Sequence, residues 1–256
     1  MFSQSLFQEH LLTSDVGRVL VHQKVVTSTM DVAREMAAAG AGHGTLVLAD
    51  EQTHGRGRRG RSFFSPPGNN LYFTMILRLP LATHRRLPLA VPLATCLACV
   101  AEGANARIKW PNDIWIGDLK VSGMLIDSEI TGTEATAFPG IGVNVNGNPA
   151  TNPELASVAT SLGKELGREV AREPLLARIC NGIEETLRLG EADLAAAYAS
   201  YSMILGREVM VTPAGAEPYM ALAREIAHDG TLVVECVGGE QRRLQAADVS
   251  VRRLGA

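Results

Sequence analysis

Lysine is the scarce residue in this chain. Of 24 basic side chains only four are lysines, Lys24, Lys109, Lys120 and Lys164, and 20 are arginines. Cysteine is also scarce, and four in 256 residues do not make a disulfide scaffold. Cys96 and Cys99 form a single C-x-x-C pair with no second Cys or His pair nearby, which favours core packing over metal or redox chemistry. Long apolar runs are missing. The longest uncharged apolar stretch, Leu87 to Ala101, has 15 residues and holds Pro88 and Pro92, whereas a membrane-spanning helix needs about 20. The N-terminus carries Gln8, Glu9 and His10 where a signal peptide would have Lys or Arg ahead of an apolar run. These absences predict a cytoplasmic protein with no membrane partner. Neither charge is in large excess: 24 basic and 27 acidic residues give a net charge of -3. That balance argues against a disordered polyelectrolyte and a generally basic nucleic-acid binder. With 46% apolar residues, the chain can bury one large core, with or without a small second domain.

The hydrophobic pattern predicts an α+β fold. Val19 to Val26 reads as a strand. Thr27-Ser28-Thr29 opens a helix that Gly40 ends, with Ser28 and Asp31 spaced as a capping box. Thr45 to Ala49 and Asn70 to Leu79 read as strands, and Leu87 to Gly103 as a buried helix. Arg107 to Trp110 is a strand ended by Pro111. Ile114 to Ile116, Gly117-Asp118 and Leu119 to Ile130 form a hairpin over a two-residue turn. Ile141 to Val145 is a further strand, and 173–190 and 191–203 carry helical periodicity. After Leu205-Gly206 the character changes to short strands: 209–211, 221–226, 232–234 and 249–251. They suggest a small β-barrel, so the expected division is 1–205 and 206–256.

Three motifs carry chemistry. The first, Gly55-Arg56-Gly57-Arg58-Arg59-Gly60-Arg61, cannot form a regular element. Its free backbone amides and guanidinium forks suit a phosphate or carboxylate, or equally an RNA contact or plain solvent. It is not a P-loop, because no G-x-x-x-x-G-K-[ST] occurs in the chain. The second, Lys109-Trp110-Pro111-Asn112-Asp113, sets a cation and a carboxylate around a bend. That suits a nucleoside triphosphate and its metal, or else a strand-end salt bridge. The third is Lys120-Val121-Ser122-Gly123, a lysine at a hairpin strand followed by a glycine that permits close approach of a ligand. Trp110 and Trp115 read as packing residues rather than stacking platforms.

In order and spacing, VTSTMD, EQTHGRGRRGR, NNLYF, KWPNDIWIGDLKVSGMLID and GIGVNVN resemble the biotin protein ligases. The resemblance runs from about Val19 to Arg253. It implies a mixed β-sheet catalytic domain flanked by helices, of the class II synthetase-like type, and a C-terminal SH3-like barrel. It also implies a two-step reaction. Biotin and MgATP give biotinyl-5′-AMP and pyrophosphate, and the biotinyl group then passes to a lysine of a biotin carboxyl carrier protein. By this match Ser28, Thr29, Met30 and Gln52 bind the biotin head. Arg56, Gly57, Arg58, Lys120, Gly123 and Gly142 surround its tail. Arg56, Arg58, Arg59, Lys109, Asn112, Asp113 and Asn144 bind ATP or adenylate. Lys120, Arg58 and Lys109 are the catalytic candidates, and Asp113 is the candidate Mg²⁺ ligand. A homodimer through a sheet edge near the Arg loop is also within the family's pattern.

The chain departs from that pattern at two points in the site. Met30 stands where the family often has Asn, and Phe63 where many members have Trp. Only about 18 residues precede the first strand, too few for the helix-turn-helix domain of repressor-type members. The expectation is therefore a ligase that does not bind operator DNA. Two other readings remain open: a lipoate ligase, which would not be expected to carry GRGRRGR, and a nucleic-acid-binding regulator, which the net charge disfavours.

Overall fold

A computed structural model describes residues 2–213 and 217–245, apart from the side chain of Arg59. In chain order the elements are α1 (Gln4–His10), β1 (Leu20–Val26), α2 (Thr29–Ala38), β2 (Leu46–Gln52), β3 (Leu71–Met75) and β4 (Leu77–Pro80). Then follow α3 (Leu81–His84), α4 (Leu87–Ala101), β5 (Ala106–Lys109), β6 (Asp113–Ile116), β7 (Leu119–Thr131) and β8 (Glu134–Val143). The last are α5 (Leu162–Leu166), α6 (Arg172–Thr186), α7 (Glu191–Tyr201), β9 (Glu208–Val211), β10 (Tyr219–Ile226), β11 (Leu232–Cys236) and β12 (Gln241–Leu244).

The large sheet runs in the order β1-β2-β3-β8-β7-β6-β5, with β4 also paired to β8. It is mixed: β1 and β2 are parallel and the other pairs antiparallel. Side chains alternate across it as strand geometry requires. Leu46 and Leu48 of β2 join the main core with α4 and α6. Val47 between them joins a smaller core with Met30 and Ala33 of α2, Ile76 and Phe138. So α2 covers one face of the sheet, and α4, α6 and α7 build the other side. Cys96 and Cys99 lie on α4, fully buried and free, as core residues. Burial pushes the Cys96 thiol up to about 12 and the Cys99 thiol further still.

Several elements differ from the sequence pattern for identifiable reasons. The expected strand 70–79 is two strands, because the ladder to β8 is interrupted opposite Pro139, which has no N–H to donate. There Ile76 bonds instead to the chain at Gly44 and Thr45. Ile141 to Val145 is the end of a longer strand, β8, whose ten residues pair with β7. The first 18 residues, which no pattern claimed, hold α1 against α6. The Glu184 carboxylate accepts N–H bonds from Ser14, Asp15 and Val16. Partial burial works against its charge, but these three donors and Arg188 hold its pKa below the usual glutamate value.

The C-terminal strands form an antiparallel sheet in the order β12-β11-β10-β9, not a closed barrel. The expected strand 249–251 lies outside the described residues. Among the described residues, no helix is long and apolar enough to cross a membrane.

Candidate active site

The floor of the site is a glycine trough on the α2 face of the sheet. Gly123 of β7 and Gly142 of β8 are direct partners in register, and Gly140 lies two residues along β8. A Cβ on Gly142 would overlap the Phe63 ring. One on Gly123 would come within 2.6 Å of Lys120 Nζ, and one on Gly140 within 2.9 Å of Met30 Sδ. Side chains at these positions would fill the trough, so glycine is required here for space. The cleft above it is narrow and is lined by Ser28, Thr29, Met30, Gln52, Arg56 and Phe63.

The polar end of the cleft is set by helix start and strand end. Ser28 caps α2, its hydroxyl accepting from Met30 N at 3.3 Å. Asp31, which the sequence pattern pairs with Ser28 in a capping box, instead holds Arg56 through an ion pair of 2.5 Å. The Gln52 carbonyl oxygen accepts from both the backbone N–H and the hydroxyl of Thr29 at 2.9 and 3.1 Å. The Gln52 amide donates to Ser65 Oγ at 2.9 Å, and Ser65 donates to Phe63 O. Thr29 also meets the Thr74 hydroxyl. Ser28 and Thr29 are buried, so these polar groups are fixed in position before any ligand arrives.

The Arg loop is more ordered than its composition suggests. Phe63 N donates to Gly55 O and Gly57 N to Arg61 O, and Arg58–Gly60 make one 3₁₀ turn. Two guanidinium groups are docked, Arg56 on Asp31 and Arg58 on Asn112 Oδ1 at 3.2 Å. The side chain of Arg59 lies outside the described atoms. The loop brings Phe63 over the paired glycines, edge-on to Tyr72. There it lines both the first lobe and a second, of about 120 Å³. Lys120, Ser122, Asn144, Phe64, Leu155 and Ala159 line that second lobe.

Lys120 and Asp113 face each other between adjacent strands, with Nζ 2.7 Å from Oδ1. The bend ahead of Asp113 contains a cis Trp110–Pro111 peptide bond. Asn112 is anchored on Met124 through both its backbone and its side chain. Lys109 is opposite Asp113 in register, and its Nζ lies 3.8 Å from the centroid of the Trp115 ring. Trp115 is therefore a platform for a cation and not packing alone. Asn144 lines the second lobe, but its amide is committed to Thr160 O at 3.0 Å.

The structure thus gathers Ser28, Thr29, Met30, Gln52, Arg56, Gly123 and Gly142 around one lobe. Lys120 and Asn144 line the other; Asp113 is joined to it by the ion pair with Lys120, and Arg58 and Asn112 are bonded to each other. Gly57 sits at the mouth of the loop. Sequence reasoning missed the position of Phe63 in both lobes, the Asp31–Arg56 pair, Ser65, Thr74, and the 149–159 wall. Asp31 carried a signal, but it was consumed by the capping pattern. The wall carried none.

The site is a trough with fixed uncharged polar groups at one end and Lys120 at the other, on a mixed sheet backed by helices. The model of the biotin/lipoate A/B protein ligase family matches residues 22–146. The bifunctional ligase/repressor BirA of Bacillus spizizenii is 32% identical over 258 residues, covering 97% of this chain and 79% of that protein. The biotin–[acetyl-CoA-carboxylase] ligase of Mycobacterium tuberculosis is 30% identical over 225 residues, covering 83% and 81%. Among solved structures, the biotin protein ligase of Aquifex aeolicus in complex with biotin and ATP aligns with a TM-score of 0.78 at 27% identity. That alignment covers 93% of this chain and all of the other. The chain belongs to the biotin protein ligases.

Proposed function

We propose that this chain condenses biotin with ATP to biotinyl-5′-AMP and pyrophosphate, then transfers the biotinyl group to a lysine of a biotin carboxyl carrier protein. The observation that carries this reading is the trough itself. Its length joins a fixed set of uncharged donors and acceptors (Ser28, Thr29, Gln52), with Arg56 beside them, to Lys120 in the second lobe. A ureido ring suits the first end, and a carboxylate meeting an α-phosphate suits the second. A carboxylate is a poor acyl donor, so it is activated as a mixed anhydride with AMP. Bringing two anions together requires fixed positive charge, and the anhydride survives only where water is excluded.

In this reading Lys120 bridges the biotin carboxylate and the α-phosphate, and Lys109 meets the outer phosphates by moving off Trp115. Met30, Gly57, Gly123 and Gly142 shape the biotin lobe. Arg56, Arg58, Arg59, Asn112 and Asn144 enclose the adenylate. No group of three or more His, Cys, Asp or Glu side chains at metal-binding distance occurs among the described residues. A single carboxylate at Asp113 fits a Mg²⁺ that arrives on the triphosphate with most of its ligands from phosphate and water. The reading includes the division at 205/206, a cytoplasmic location and a homodimer through the sheet edge near the Arg loop. Operator binding is not part of the reading, because a net charge of -3 disfavours a DNA-binding surface.

Pyrophosphate release with biotin, lipoate or neither tests the function. Release should require biotin. Release supported by lipoate would make the chain a lipoate ligase, and release with neither, or none with biotin, would overturn the reading.

Gly142→Ala should weaken biotin use. The added methyl must displace Phe63 or the ligand, and overpacking of this kind costs about 1–3 kcal/mol, roughly fivefold to a hundredfold in binding at 1.4 kcal/mol per decade. Gly142→Ala with Phe63→Ala relieves the ring clash but not the ligand clash. The biotin KM should therefore stay raised in the double variant, and a return to the wild-type value would show that the trough does not hold biotin.

A further inference from the structure

Trp110 is almost fully buried, and its indole Nε1 donates to Gly230 O at 2.9 Å, 120 residues away in the C-terminal sheet. Gly230 has φ +81° in the turn between β10 and β11, a left-handed conformation that favours glycine. A Cβ there would lie 3.5 Å from Pro88 Cβ and 3.7 Å from Leu89, so the turn is seated against the start of α4. The carbonyl that receives the indole is thereby fixed in place.

The next two residues are anchored elsewhere. Pro111 O accepts from Tyr198 OH at 3.1 Å, and Asn112 is held on Met124. Of these three residues, Asn112 meets the Arg loop, accepting from Arg58 Nη1 at 3.2 Å. The C-terminal turn therefore lies two residues of chain from the group that docks Arg58, and Trp110 is the link.

We propose that Trp110 is a positioning residue. Its bond to Gly230 holds the bend so that Asn112 presents its oxygen to Arg58, and through this bond the C-terminal sheet sets how long the Arg loop stays closed over the adenylate. The claim rests on the ligase reading above and adds to it a route from the C-terminal sheet to the loop.

Simple packing predicts a different result in a double-mutant cycle. The measurement is the dissociation rate of biotinyl-AMP from the full chain. The variants are Trp110→Phe and an isosteric replacement of Trp110 by benzothienylalanine, which keeps the bicyclic shape and lacks the N–H. Each is made with Arg58 present and with Arg58→Ala. With Arg58 present, both replacements should speed dissociation about threefold to tenfold, the range for loss of one net hydrogen bond. With Arg58→Ala they should change it less than about 1.5-fold, because the group they position is gone. Equal acceleration in both backgrounds, or none from the isostere when Arg58 is present, would overturn the proposal. If the wild-type chain forms no adenylate, the ligase reading fails. Hydrogen exchange of residues 58–63 in the ligand-free protein then tests the coupling alone. The isostere should speed it when Arg58 is present and leave it unchanged when Arg58 is alanine, and the same change in both would overturn the coupling.

Discussion

Lys120→Ala is expected to slow biotin-dependent pyrophosphate release by about a hundredfold to a thousandfold, with little change in the unfolding midpoint. One preorganised charge contact to a developing anion is worth about 2.7–4 kcal/mol of barrier. Lys120 Nζ reaches over Gly123, at the junction of the two lobes, where two anions would meet. Its contribution to stability is small by comparison. The pair with Asp113 is about one-third exposed, at 32% and 26% for the two side chains, and exposed pairs contribute about 0–1 kcal/mol. The strand contacts of Lys120 are made by its backbone, whose N–H donates to Val158 O and whose carbonyl accepts from Thr160 N. Those survive any side chain. Lys120→Arg should restore only part of the rate, because a planar fork places its charge differently from an ammonium. Release at the wild-type rate by the alanine variant would reduce Lys120 to a turn residue.

Arg58→Gly is expected to convert a selective enzyme into one that labels bystanders. The substitution removes the contact to Asn112 and adds backbone freedom to a segment that already holds Gly55, Gly57 and Gly60. Both changes favour the open loop. A charged hydrogen bond is worth about 1.5–3 kcal/mol, so adenylate retention should fall roughly tenfold to a hundredfold. The first half-reaction should continue, because Lys120 and Lys109 remain. The released mixed anhydride then acylates any exposed amine. Biotin on added serum albumin should rise well above the wild-type level, in step with a faster dissociation rate. If pyrophosphate release continues while albumin labelling stays at the wild-type level, Arg58 does not guard the intermediate.

The sequence revealed the chemistry more clearly than the architecture around it. Lys120 and Lys109 stand out because lysine is rare here, and the glycines at 123 and 142 because strands normally avoid them. Both signals are local, which is why they could be read. What could not be read depends on register. Gly123 and Gly142 form one trough only because β7 and β8 pair directly opposite each other, and no local pattern encodes that alignment. Phe63 was seen only as a smaller aromatic after the Arg loop, whereas its position over the trough depends on a backbone closure between Gly55 and Phe63. Asp31 fitted a helix cap well enough to hide its pairing with Arg56. β12 was missed because Gln241-Arg242-Arg243 has no apolar alternation. Among the described strands it lies at the edge of its sheet, and pairing with β11 supports it.

The central claim is that one cleft makes and holds a biotinyl adenylate. Native mass spectrometry of the purified chain after incubation with biotin and MgATP tests it most directly. The expected result is one biotinyl-AMP per chain, formed in wild type, formed about a hundredfold to a thousandfold more slowly in Lys120→Ala, and not replaced by a lipoyl adduct when lipoate is supplied. A wild-type chain that carries no adduct with biotin and ATP, or that carries the lipoyl adduct equally well, would contradict it.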